Sequence, residues 1–443
     1  MKRGRKMNVL LSVSVALLAG LLMTRAFKKL KLPSVTAYLI AGVLIGPYCI
    51  GQLGIPSLGF SSFHEVEALA IISEVALGFI AFSIGSEFRL SELKKTGKQA
   101  LVIGIFQALV ATLFVDLALW GIHLWMPDKL SMAQAITLGA IATATAPAAT
   151  LMVVRQYKAK GPLTSLLLPI VALDDAVGLI VFAVSFGIAK TLAAAEAINV
   201  ISVFVTPIVE IIASLGLGAI MGWLLTQFEK MFNSNTNRLN MTIAFVFLTA
   251  ALSTLKFDIP VGDVSIHVGF SSLLVCMMLG TVFCNICPLS EDLMAATDKW
   301  TSPVFALFFV ISGAELELGV FTDVAIVGIG IVYIIFRSLG KYFGTLASAK
   351  ATKCDSNTCK YLGITLLPQA GVALGMCTIA AAEFPGQGAL IRNITLFAVL
   401  IYELFGPVFT RWALTKAGDI KPMSDEVKNR RATKLAEANA NKQ

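Results

Sequence analysis

Apolar runs separated by short polar stretches fill this chain almost from end to end. A helix crosses a bilayer with about 20 apolar residues. Thirteen runs approach or exceed that length and predict helices at roughly 7–25, 34–50, 66–86, 98–121, 132–154, 163–189, 198–228, 239–256, 267–286, 302–319, 322–345, 361–382 and 391–414. The strict alternation of a barrel strand is absent, so the runs read as helices. No small-residue cleavage pattern follows the first run, which therefore reads as a retained helix and not a signal peptide. Residues 415–443 are polar and read as a short tail. The expected fold class is an all-α polytopic membrane protein with residues 1–414 as one membrane domain.

Composition sharpens that reading. The chain is 57% hydrophobic and 14% charged, where a soluble domain carries about 25% charged residues. The net charge of +8 sits mainly in loops and termini, so it reports orientation and not nucleic-acid binding. One set of loops holds Arg25, Lys28, Lys29, Lys31, Arg89, Lys94, Lys95, Lys98, Arg155, Lys158, Lys160, Lys230, Arg238, Lys299, Lys350, Lys353 and Lys360. The opposite set holds only Lys129, Lys190, Lys256 and Arg392. The positive-inside rule places the first set in the cytoplasm, with the C-terminus inside and the N-terminus outside. The N-terminal KRGRK argues the other way and is outvoted. The expected location is a bacterial inner membrane. The cysteine pairs in CNIC and CDSNTC have no partner pair or nearby histidines, so they read as small apolar filler and not zinc ligands. No nucleophile–base arrangement or cofactor motif is present, so neither an enzyme nor a cofactor is expected.

A repeat is visible at a long offset. FIAFSIGSEFRL at 79–90 resembles LFFVISGAELEL at 307–318, aligning Gly85 with Gly313. Pro147 pairs in the same way with Pro368, and Asp174 with Glu403. Each pairing joins one run to the seventh run after it. An odd shift turns the second half over in the membrane, which predicts inverted repeats at about 7–189 and 239–414 joined by a linker helix at 198–228.

Candidate chemistry gathers in the middle of the runs. LDDAVG places Asp174 and Asp175 near mid-membrane, where carboxylates are costly and functional by default. Such a carboxylate can hold a proton or a small cation. Arg337 and Lys341, in FRSLGKYFG, share a helix face and are the candidate partners. Arg337 lies deeper, while Lys341 is near enough to an end to snorkel to the surface. Two runs look broken: IATATAPAAT carries Thr143, Thr145 and Pro147, and LLPQAG carries Pro368 and Gln369. Proline frees a carbonyl one turn back, and irregular backbone at this depth is tolerated where it lines a cavity. Freed carbonyls and threonine hydroxyls are hard oxygen ligands. Glu403 reads as a helper that positions the second broken helix. The plain alternatives are aspartates in a polar helix interface and ordinary proline kinks.

Taken together, the adjacent acids of LDDAVG, the TATAP break, the two G-x-E-x-x-L segments and the basic FRSLGKYFG helix resemble the monovalent cation:proton antiporters, over about residues 7–414. The resemblance implies thirteen transmembrane helices in the inverted-repeat sodium/proton antiporter fold, with two broken crossing helices. It implies core helices within 98–189 and 322–414, and a dimer panel within 7–86 and 239–319 that makes a homodimer. It implies that Asp175 carries the ion or proton, with Asp174 and Thr145 beside it as transient cation ligands. Thr143, Pro147, Arg337, Lys341, Pro368, Gln369 and Glu403 then support the site. The transported ions would be Na+ or K+ and H+. Sodium is favoured because a compact site of carboxylates and threonines suits a small cation. Potassium/proton exchange is the alternative, although potassium-efflux members carry a nucleotide-binding domain that is not expected here. A membrane ion sensor and a channel are the more distant readings.

The partner of Asp174 decides the charge moved. Arginine keeps its proton, so pairing with Arg337 predicts one proton per cation. The alternatives are that Asp174 also takes a proton, so that two protons move against one cation, or that Lys341 meets Asp174 and releases a proton of its own. The first pairing is the one expected.

Overall fold

The computed structural model describes residues 9–30, 34–53, 55, 58–86, 88–146, 150, 153–154, 157–193, 206–255, 257–261, 264–384 and 386–420. Pro147, Glu87, the first part of the expected linker helix (198–205) and the tail from 421 lie outside them. The helices are α1 (Val9–Leu30), α2 (Ser34–Ile45), α3 (Phe63–Glu67), α4 (Ala70–Ser86), α5 (Leu90–Trp125), α6 (Met132–Ile141), α7 (Pro162–Ala193) and α8 (Thr206–Glu229). They continue with α9 (Asn235–Leu252), α10 (Ser272–Ile286), α11 (Ser290–Ala314), α12 (Val324–Ala351), α13 (Ser356–Thr365), α14 (Gly371–Glu383) and α15 (Gly388–Ala417). Among the described residues, seven helical stretches are long and apolar enough to cross a membrane: 9–27, 34–53, 97–125, 162–193, 208–229, 324–351 and 388–417. The protein is thus integral to a lipid membrane. In hydrocarbon every backbone polar group needs an internal partner, and a helix supplies one.

Helix ends follow local chemistry. Ser131 starts α6 with a capping box, its hydroxyl accepting from Gln134 N–H while the Gln134 side chain reaches back. Asp323 caps α12 and Asp355 caps α13. Within α5, Gly97 has φ +79° and separates a short polar first turn from the membrane-crossing stretch.

One expectation needs correction. Among the described residues the chain is α-helical except for a hairpin, β1 (Phe257–Val261) and β2 (Val264–Val268), paired antiparallel with Phe257 opposite Val268. The run expected as a helix from 267 therefore starts helical structure only at Ser272. FDIPV and VSIHV are short and rich in β-branched residues, and they alternate, which suits a strand.

The helices pack in two groups. In the first, α2 packs on α1 and α11, and α4 packs on α10, which also meets α8. Its two tightest crossings match each other. A Cβ on Gly313 of α11 would lie 2.1 Å from Leu39 O of α2, and one on Gly85 of α4 would lie 1.9 Å from Met277 O of α10. Gly85 and Gly313 are the residues that the sequence repeat aligns, and each lets its helix approach a neighbouring backbone. In the second group α7 packs on α5 and α6, α12 packs on α5, α13 and α15, and α14 packs on α15.

Candidate ion-binding site

Two helix breaks meet inside the second group. Helix α6 ends at Ile141, and the backbone runs non-helically through 144–146. Helix α13 ends at Thr365, and 367–370 are irregular before α14 begins. The two irregular segments bond to each other. Ala146 N–H donates to Pro368 O at 2.8 Å, and the Thr145 hydroxyl donates to Leu366 O at 3.2 Å. Gln369 Nε2 donates to Ile141 O at 2.9 Å, capping the end of α6, and bonds Tyr333 Oη at 3.0 Å. Both interruptions expected from the sequence are therefore present, apart from Pro147, which lies outside the described residues.

Breaking α6 and α13 leaves carbonyls with no helical partner, at the negative ends of two helix dipoles. Arg337 takes them up. Its Nε donates to Ala142 O at 3.0 Å, Nη1 to Leu367 O at 2.7 Å and Nη2 to Ala144 O at 2.5 Å. The guanidinium also lies 4.5 Å from the centre of the Tyr402 ring. This corrects the expected pairing of Arg337 with Asp174. A planar fork of five donors fits several carbonyls leaving different backbones, and the breaks supply them.

Lys341, one turn along α12, pairs with Asp174 instead. Its ammonium lies 2.8 Å from Asp174 Oδ2, and both side chains are fully buried. It also donates to the Thr145 hydroxyl at 3.0 Å and to Thr143 O. Snorkelling is thus corrected too: Lys341 points into the protein, where a carboxylate, a hydroxyl and a freed carbonyl use all three of its donors. Asp175 follows on α7, buried at 2% exposure, with its side chain about 100° further round the helix. Gly178, one turn on from Asp174, lets α7 approach the first break: a Cβ there would lie 2.8 Å from Thr143 Oγ1. The Thr143 hydroxyl itself donates to Ala140 O at 2.7 Å.

Glu403 stands apart. It is buried on α15 and accepts from the Thr36 hydroxyl of α2 at 3.3 Å. The contact with the second break is made by Gly406, one turn on, which packs against Pro368. Two residues at the site escaped sequence reading. Gln107 of α5 donates to Asp174 Oδ1 and to Gly104 O, and Tyr402 lies under Arg337. An uncharged amide inside an apolar run was the only signal for Gln107.

A buried ion pair beside a second buried acid, held where two interrupted helices meet, defines the class: an ion-coupled membrane transporter. The family described as "Sodium/hydrogen exchanger, transmembrane" matches residues 13–416. The chain belongs to that family, among the monovalent cation:proton antiporters, and is a transporter and not a catalytic enzyme. It is 24% identical over 369 residues to the Na(+)/H(+) antiporter NhaS4 of Synechocystis sp., covering 80% of this chain and 84% of that one. It is 20% identical over 404 residues to the K(+)/H(+) antiporter subunit KhtU of Bacillus subtilis, covering 91% and 93%. Its fold resembles that of the sodium proton antiporter MjNhaP1 from Methanocaldococcus jannaschii at pH 8, with a TM-score of 0.68 and 18% identity over 91% of this chain and 97% of that one.

Proposed function

We propose that this protein exchanges Na+ for H+ by alternating access, with Asp175 carrying the ion or the proton. The observation that carries the reading is the buried Lys341–Asp174 pair next to Asp175 at the junction of the two breaks. Such a pair is expensive to desolvate and is poor evidence for stability, whereas ionisable groups at this depth mark ion and proton pathways. In this reading Asp174, Asp175 and Thr145 ligate the cation transiently. Thr143, Arg337, Gln369 and the backbone at Pro368 hold the breaks open, and Pro147 is assigned to the same support from the sequence alone.

Lysine also changes the stoichiometry from the one expected. An ammonium can give up its proton and a guanidinium cannot. A cation arriving at Asp174 and Asp175 competes with Lys341, and the lysine proton can leave together with the one on Asp175. Two protons then move against one cation. A second reading, potassium/proton exchange, has the KhtU likeness in its favour.

The wider architecture belongs to the same proposal: thirteen transmembrane helices as inverted repeats, supported by the matched crossings at Gly85 and Gly313. The second group of helices would be the moving core and the first the panel of a homodimer. The basic loops support a cytoplasmic C-terminus and an external N-terminus in a bacterial inner membrane. The test is Asp175→Asn in proteoliposomes. The variant is expected to fold and to lose cation-driven proton movement, and near-normal exchange would remove Asp175 from the mechanism.

A further inference from the structure

Gln107 is fully buried on α5, and its amide is used asymmetrically. Nε2 donates both to Asp174 Oδ1 and to Gly104 O, at 2.9 Å for the latter. Oε1 has no hydrogen-bond partner among the described residues. The Asp174 carboxylate is thus shared between two donors, the amide on Oδ1 and the Lys341 ammonium on Oδ2. Helix α12 passes close to the α5 backbone at this level, where a Cβ on Gly344 would lie 2.9 Å from the Gln107 Cα.

The orientation is dictated by charge. An ionised carboxylate only accepts, so the amide must turn its N–H towards Asp174. That choice strands a strong acceptor inside the protein, an arrangement that native interiors rarely keep. A cation beside Asp174 reverses the preference. A carbonyl oxygen is a hard ligand suited to a small cation, and the terminal torsion of glutamine is soft and roughly two-fold. We propose that Gln107 is a specificity-determining arm of the ion site: its N–H end holds Asp174 while Lys341 is paired, and its oxygen end ligates the cation that displaces the ammonium. This inference rests on the antiport reading above.

The role predicts a split between affinity and rate. Purified Gln107→Leu, reconstituted in liposomes and given Na+ or K+ as the only cation, is expected to need about tenfold more cation for half-maximal exchange, the size of one lost polar ligand. Its rate at saturating cation should stay within about twofold of the parent. Stabilisation of the detergent-purified protein by the same cation should shift to higher concentration in parallel. Gln107→Glu keeps an oxygen and adds charge, so it should bind cation at least about fivefold more tightly and change the Na+/K+ ratio. A brace that only positions Asp174 would lower the saturating rate and leave half-saturation unchanged, which would overturn the role. Should Gln107→Leu not fold, Gln107→Glu decides alone, and half-saturation equal to or above the parent's counts against the proposal. Asp175→Asn, measured alongside, separates the two readings: full exchange there sinks the antiport site itself, whereas its loss with unchanged affinity in both Gln107 variants sinks only the role of Gln107.

Discussion

Arg337 and Lys341 stand one helical turn apart on the same face of α12, yet the site divides their work. Arg337 neutralises the open ends of two helices and Lys341 neutralises one carboxylate. Removing Lys341 leaves Asp174 buried with an amide and no counter-charge, an imbalance of about 3–5 kcal/mol. Lys341→Ala should accordingly lower the thermal unfolding midpoint in detergent, and adding Asp174→Asn to the same chain should restore most of it. A double variant no more stable than the single one would show that the pair is not coupled. Sequence alone brought both basic residues to the acids and favoured Arg337 for Asp174, where the structure has Lys341. At i and i+4 they share a face, and the deciding partners, carbonyls at 142, 144 and 367, carry no side-chain signal. Asp174 and Asp175 were legible because a charge inside an apolar run is conspicuous, and Gln107 was not because an amide is not.

At the scale of elements, proline and clustered threonines announced both breaks, and the structure adds that the breaks bond to each other. Substituted cysteines at Thr145 and Gln369, in a background without native cysteines, should react with small thiol reagents from water, while Ile141 inside α6 should react less. Equal protection at all three would mean packed helices and no hydrated cavity. The hairpin at 257–268 was missed because its apolar residues merge into the following helical run when only hydropathy is read. At the start of α12, the bond from Lys129 and then the Ala325 N–H hold the Asp323 carboxyl below the usual carboxylate range. A depressed carboxyl contributes above its unfolded value, and the contribution fades as pH falls through the lower folded value. The first-turn amides of α12 should therefore exchange faster in Asp323→Ala than in the parent at neutral pH. That difference should vanish under acid, and a difference that persisted there would contradict the titration.

For the whole molecule, hydropathy made the membrane class and most helix positions legible, because span length is set by the bilayer. A repeat of twelve residues pointed to two halves, and the glycines it aligns, Gly85 and Gly313, each lie against a neighbouring backbone, where α4 meets α10 and α11 meets α2. What the sequence left open was the charge moved per cycle, since that depends on which cation meets Asp174. In the cycle proposed above, lysine takes that role in place of arginine, so the expected one-for-one exchange becomes two protons per cation and the membrane potential drives turnover. The most direct measurement is the reversal potential of Na+-driven proton movement in proteoliposomes with fixed ion and proton gradients. The account predicts a reversal that shifts with applied voltage as two protons against one cation require. A reversal set by the chemical gradients alone, or no coupled proton movement, would contradict it.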